Sequence, residues 1–241
     1  MRRLRVVDRI SSAGIESICV EAPLDKARRF LEDQEYKVIS LRDNAILRMQ
    51  EGLNSFVSRN GNLTREGIVY IPKKGAFITR VSPLLADVKE ATQKSDKGNH
   101  FYLTEEQAEE ALQNSIKIEP QKEWNGVVYI PTNRFGEVNI TNRVFGNIAK
   151  NYGLFLREMG RIKEMPIEFD TRREIVAPYA TQIWFGRIPG GRYSRGRSVI
   201  DGSGRWSTSS SGIPRALDTY RLKVRGSNLI SSLQDGNGEQ R

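Results

Sequence analysis

Gly126 to Val144 reads GVVYIPTNRFGEVNITNRV, and Gly67 to Val81 reads GIVYIPKKGAFITRV. Both open with glycine, one apolar residue and Val-Tyr-Ile-Pro. Both continue through a short polar turn to an Ile-Thr pair, Ile78-Thr79 in the first and Ile140-Thr141 in the second. Val, Tyr and Ile favour extended backbone. Pro72 and Pro131 end the strand because proline has no N–H to give a ladder. Gly75 and Gly136 suit the turn after it. Each stretch therefore reads as strand, turn and strand, with a helical pattern next in the chain. The pair implies an internal duplication of a strand-turn-strand-helix unit.

The flanking segments carry similar patterns. In PLDKARRFLEDQEYKVISL, Leu24, Ala27 and Leu31 share a helical face, and Tyr36 and Val38 then alternate as in a strand. LTEEQAEEALQNSIKI sets Thr104 and Gln107 at capping-box spacing, with Ala108, Ala111 and Leu112 facing inward. Asp43 to Val57 reads as a helix through Ile46, Met49, Leu53 and Phe56, and Arg59-Asn60-Gly61-Asn62 as a turn. Beyond Pro166 come the strand-like IEF, TQIWF and TYRLKV. The fold class is α+β, with short strands and helices interleaved. The chain divides into four regions: residues 1–95 and 96–165 as two α+β repeat units, 166–225 as a basic region rich in strands and loops, and 226–241 as a disordered tail.

Composition narrows the function classes. Hydrophobic residues make up 38% of the 241, enough for a core. Cys19 is the single cysteine, so no internal disulfide forms, and its apolar neighbours make it a buried thiol. No run approaches the ~18 apolar residues of a membrane span, and the basic N-terminus lacks the apolar segment of a secretory signal. The expectation is a soluble, cytoplasmic protein without a membrane partner. The formal charge is +9, and residues 132–241 carry 18 Lys/Arg against 10 Asp/Glu, a net of +8. Such one-sided charge attracts polyanions.

Two features give that attraction a shape. Asn142 to Met159 reads as one helix with an apolar face through Val144, Ile148, Tyr152, Phe155 and Met159. Arg143, Lys150 and Arg157 recur every seven residues nearly opposite, and Arg161 extends the stripe, as along a phosphate backbone. The stretch GRIPGGRYSRGRSVIDGSGRWSTSSSG, Gly186 to Gly212, holds seven glycines and five arginines. It lacks the P-loop and dinucleotide fingerprints. Arg192, Arg195, Arg197 and Arg205 suit phosphates, and Tyr193 and Trp206 suit stacking on unpaired bases. The partner expected is nucleic acid, RNA or DNA, with an acidic protein as the alternative and no cofactor.

Catalysis has a narrower footing. His100 is the single histidine, with no cysteine spaced for zinc and no nucleophile elbow. Glu168 and Asp170 alternate on a strand ahead of Arg172 and Arg173, so they could hold Mg²⁺ against a phosphate. That is the alternative reading, a Mg²⁺-dependent nuclease or nucleotidyl-transfer enzyme. A structural or assembly protein of a virus or large complex is the third.

Overall fold

The computed structural model describes residues 4–91, 101–119, 126–169, 175–188, 199–202 and 222–229. Ala13 (φ 51°) and Gly14 (φ 72°) turn the chain between β1 (Arg5–Ser12) and β2 (Ile15–Ala22). Two consecutive positive-φ residues are what a type I′ two-residue hairpin loop requires, and its twist matches that of the flanking strands. Helix α1 (Leu24–Asp33) comes next and buries Leu24, Ala27 and Leu31, the face read from the sequence. After it are β3 (Lys37–Val38), α2 (Leu41–Glu51) and α3 (Phe56–Arg59). The single helix expected over Asp43–Val57 is thus two, broken at Gly52 with φ 76°.

Strand β4 (Asn62–Ile71) forms the expected hairpin with β5 (Gly75–Thr79). After β6 (Phe101–Tyr102), α4 (Glu105–Gln113) starts with the full capping box of Thr104 and Gln107. Strand β7 (Ile116–Lys117) then pairs with β5, and β8 (Val127–Pro131) carries the second Val-Tyr-Ile-Pro. Here the two copies part. The chain after Pro131 makes a 3-10 turn over Thr132–Arg134 and then α5 (Asn139–Phe145). Ile140 and Thr141 are therefore helical, whereas Ile78 and Thr79 lie in or at the end of a strand. The Thr132 hydroxyl donates to the Ile162 carbonyl at 2.8 Å, and its amide donates to the Lys163 carbonyl at 2.9 Å. Those bonds hold the chain beside β9 (Glu164–Glu168) instead of letting it fold back on β8. Gly136 has no positive φ. A Cβ there would lie 2.9 Å from that of Lys150, so the position serves close packing, not a turn. The shared tetrapeptide does not carry a shared supersecondary unit.

The long helix expected over Asn142–Met159 is also broken. Helix α5 ends at Gly146 (φ 62°), a 3-10 turn spans Gly146–Ile148, and α6 runs Ala149–Glu158. Strand β9 pairs antiparallel with β8, and β10 (Tyr179–Phe185) pairs with β4 and β6. Strand β11 (Ile200–Asp201) lies antiparallel to β10 and parallel to β9. Strand β12 (Leu222–Leu229) enters between β2 and β4. It continues past Gly226, where the sequence reading starts a disordered tail. The cause is its partner: Gly226 to Leu229 stay in register with Ile18 to Ile15.

The twelve described strands form one mixed sheet whose main path runs β1-β2-β12-β4-β10-β11-β9-β8. Its largest core joins Ile68 and Tyr70 of β4 and Phe185 of β10 to Phe135, Phe145 and Tyr152. Phe135, Phe145, Tyr152 and Phe185 pack with ring centroids 5.3 to 6.2 Å apart. Gly153 lets α6 reach this core: a Cβ there would stand 2.4 Å from the Thr132 carbonyl oxygen and the Phe135 Cβ. No described helix is long and apolar enough to cross a membrane.

Candidate anion-binding cleft

The cleft forms where β4 turns polar. In the run NLTREGIVYI, the apolar character of a buried strand is interrupted by Arg65 and Glu66. The Arg65 amide donates to the Ile39 carbonyl at 2.8 Å, and its carbonyl accepts from the Ser82 amide at 2.8 Å. These bonds lock the backbone between the entry to α2 and the exit from β5. The Glu66 carboxylate accepts the Leu41 amide at 3.0 Å. It thereby satisfies one of the unpaired N–H groups that every helix start leaves. Ser40 caps the same end, its hydroxyl accepting from the Asp43 amide at 3.0 Å.

Around this anchor opens a cavity of about 470 Å³. Arg42 of α2, Arg65 of β4, Arg80 just beyond β5 and Arg143 of α5 line it, with Asp43 and Glu66 as the acids. Gln113, Asn114 and Ser115 of the α4–β7 turn form one rim. Ile116, Val144 and Leu229 supply apolar wall. Arg42 is partly engaged, 3.4 Å from the Asp43 carboxylate and 3.3 Å from the Asn147 amide oxygen. Arg65, Arg80 and Arg143 form no ion pair with a described residue. The Nε of Arg65 is buried with no hydrogen-bond partner among the described residues. The same holds for nitrogens of the buried Arg48 and Arg225.

Glu66 is 7% exposed. Burial pushes its carboxyl up to about 7, against the opposing pull of its own amide, the Leu41 amide and the Arg65 charge. Near neutrality the cleft therefore holds four guanidinium groups against one full and one partial negative charge.

Of the residues singled out from the sequence, Arg143, Lys150, Arg157 and Arg161 are all exposed. They do not form one helical stripe. Arg143 sits on α5 and turns to the cleft, Lys150 and Arg157 sit on α6, and Arg161 lies beyond the helix with φ 53°. The positive-φ Gly146 breaks the seven-residue phase. Arg157 approaches the Glu158 carboxylate at 3.4 Å. Arg192, Tyr193, Arg195, Arg197, Arg205 and Trp206 lie outside the described residues, as do His100 and Asp170. Glu168 ends β9, and Asp170, the other carboxylate of the expected pair, lies outside the described residues. No group of three or more metal-ligating side chains occurs among them.

Some of the basic charge is internal. Arg225, 1% exposed, pairs with the Asp8 carboxylate and donates to the Ser17 hydroxyl at 3.0 Å. Arg48 is fully buried over the Phe185 ring, 3.9 Å from its centroid, and burial holds its guanidinium below its usual range. Cys19 is the buried thiol expected, raised to about 11 by burial.

Sequence reading missed Arg42, Arg65, Glu66 and Arg80 because they belong to separate local patterns that only the fold joins. One signal is present: an Arg-Glu pair inside an otherwise buried strand needs a partner or a purpose.

No protein-family model matches the chain, and no curated protein sequence matches it. One solved structure is similar, described as "Accommodation of massive sequence variation in Nanoarchaeota by the C-type lectin fold". It is 13% identical, with a TM-score of 0.57, covering 90% of this chain and 97% of that one. At that identity the likeness concerns the fold alone: the mixed sheet and its helices resemble a C-type lectin fold.

Proposed function

We propose that the protein binds nucleic acid through its phosphates, with the arginine cleft as the anchoring point. The observation that carries this reading is the meeting of Arg42, Arg65, Arg80 and Arg143, from four separate parts of the fold, around one cavity. Guanidinium groups grip phosphate oxygens in bidentate fashion, and three of these four form no ion pair with a described residue. The exposed Lys150, Arg157 and Arg161 extend the positive surface. In this reading Arg192, Arg195, Arg197 and Arg205 wrap the strand, and Tyr193 and Trp206 stack on its bases. The overall +9 charge steers the polyanion in.

The test is the affinity of the double variant Arg80→Glu/Arg143→Glu for a labelled single-stranded RNA and a DNA duplex. Loss of about thirtyfold or more is expected, since two attractive contacts become repulsive. Wild-type affinity in the variant, with wild-type melting, refutes the cleft as anchor. A wild-type chain that binds an acidic protein but neither nucleic acid belongs to a different class.

A further inference from the structure

Resting on that reading, we infer that the cleft recognises a phosphate monoester carried on a nucleotide, and not an internal phosphodiester of a strand passing across it. Charge is the first argument. Four arginines face Asp43 and Glu66 in the cleft, and with Glu66 only partly ionised near neutrality the excess lies between two and three positive charges. A phosphate monoester carries close to two negative charges at pH 7, whereas an internal phosphodiester carries one. The monoester comes closer to neutralising the cleft than the diester does.

Size is the second argument. A cavity of about 470 Å³ lies within the range of sites that enclose a small ligand. That is room for about one nucleotide. A continuous strand needs an open groove with cations spread along it, not gathered round one point.

The walls are the third. The charged part of the lining comes from Arg42, Arg65, Arg80 and Arg143. The rest of the lining is polar at Gln113, Asn114 and Ser115 and aliphatic at Ile116, Val144 and Leu229. Among the described residues, no aromatic side chain lines the cavity. That surface suits the hydroxyls of one sugar and the polar edge of one base, and it offers nothing for a run of stacked bases.

One ligand chemistry here has two sources, the phosphorylated end of a strand and a free nucleoside monophosphate. The experiment separates them. Eight-residue RNA and DNA strands with a 5′-phosphate, a 3′-phosphate or hydroxyls at both ends are titrated at one salt concentration, beside a nucleoside monophosphate. One phosphorylated form is expected to bind about tenfold or more tighter than the hydroxyl-ended strand. That preference is expected to vanish in Arg65→Gln, and in Arg80→Gln, which alters an exposed side chain and leaves folding intact. A monophosphate as tight as the strand makes the free nucleotide the source, and one about tenfold weaker makes it the strand end. Equal binding of all strands overturns the monoester inference while the polyanion reading stands. Binding of none removes both. A phosphate preference retained in both variants also overturns the inference, because the recognising site then lies elsewhere.

Discussion

Replacing Glu66 by glutamine isolates the least expected group in the cleft. In the folded chain its carboxyl titrates at about 7, against an ordinary value of 4.5, chiefly because burial disfavours the charged form. The folded state therefore holds this proton more tightly than the unfolded state does. As pH rises from 4.5 the unfolded chain releases the proton first, and stability falls until the folded carboxyl has also ionised near pH 7. Each pH unit in that window costs about 1.4 kcal/mol, so the whole window costs about 3 kcal/mol. Glutamine stays neutral, has nearly the same shape, and its amide oxygen can accept the Leu41 amide that Glu66 now accepts at 3.0 Å. Urea unfolding between about pH 5 and pH 8 reads the difference. The variant is expected to match wild type near pH 5 and to exceed it by about 2–3 kcal/mol at pH 8. Anion affinity at pH 8 should rise as well, since one negative charge has left the cleft. A stability difference independent of pH, or a variant weaker than wild type at pH 8, refutes the reasoning.

Other perturbations test the frame around the cleft. Gly153→Ala forces a methyl to 2.4 Å from the Thr132 carbonyl oxygen, and a loss of about 2–3 kcal/mol is expected in denaturant unfolding. Asp8→Asn leaves the Arg225 guanidinium, 1% exposed, without its carboxylate, at a cost of about 3 kcal/mol by the same assay. Thr104→Ala removes the capping box of α4, costing about 1 kcal/mol and lowering the melting temperature by a few degrees.

Local chemistry makes several elements legible from sequence. Thr104 and Gln107 mark the start of α4 because a capping box is a short-range bond pattern. Leu24, Ala27 and Leu31 mark the buried face of α1 because helical periodicity is equally local. The β1–β2 hairpin is harder to read, although Ala13-Gly14 carries the turn, because Ala at a positive φ is an uncommon turn signal. Gly146 likewise divides a pattern whose apolar spacing looks continuous, because a positive φ ends a helix even where the periodicity runs on. Val-Tyr-Ile-Pro occurs twice and forms a strand twice, yet the next element in each copy is decided by partners distant in sequence. Ile78-Thr79 finds β7 and β4, while Thr132 finds the Ile162 and Lys163 carbonyls. Of the cleft, only Arg143 stands out in the sequence. Arg42, Arg65 and Arg80 are ordinary in their own segments and become a site through the placement of α2, β4 and β5.

The most direct measurement of the central claim is the salt dependence of binding to a labelled single strand phosphorylated at both ends, for wild type and for Arg80→Ala/Arg143→Ala. Each phosphate contact contributes about 0.7 to the slope of log affinity against log salt for single strands. The cleft account predicts a steep wild-type slope that becomes shallower by about 0.7 in the double variant, because both arginines meet one phosphate. Identical slopes for the two proteins would contradict it, since the arginines of the cleft would then release no counterions from the strand.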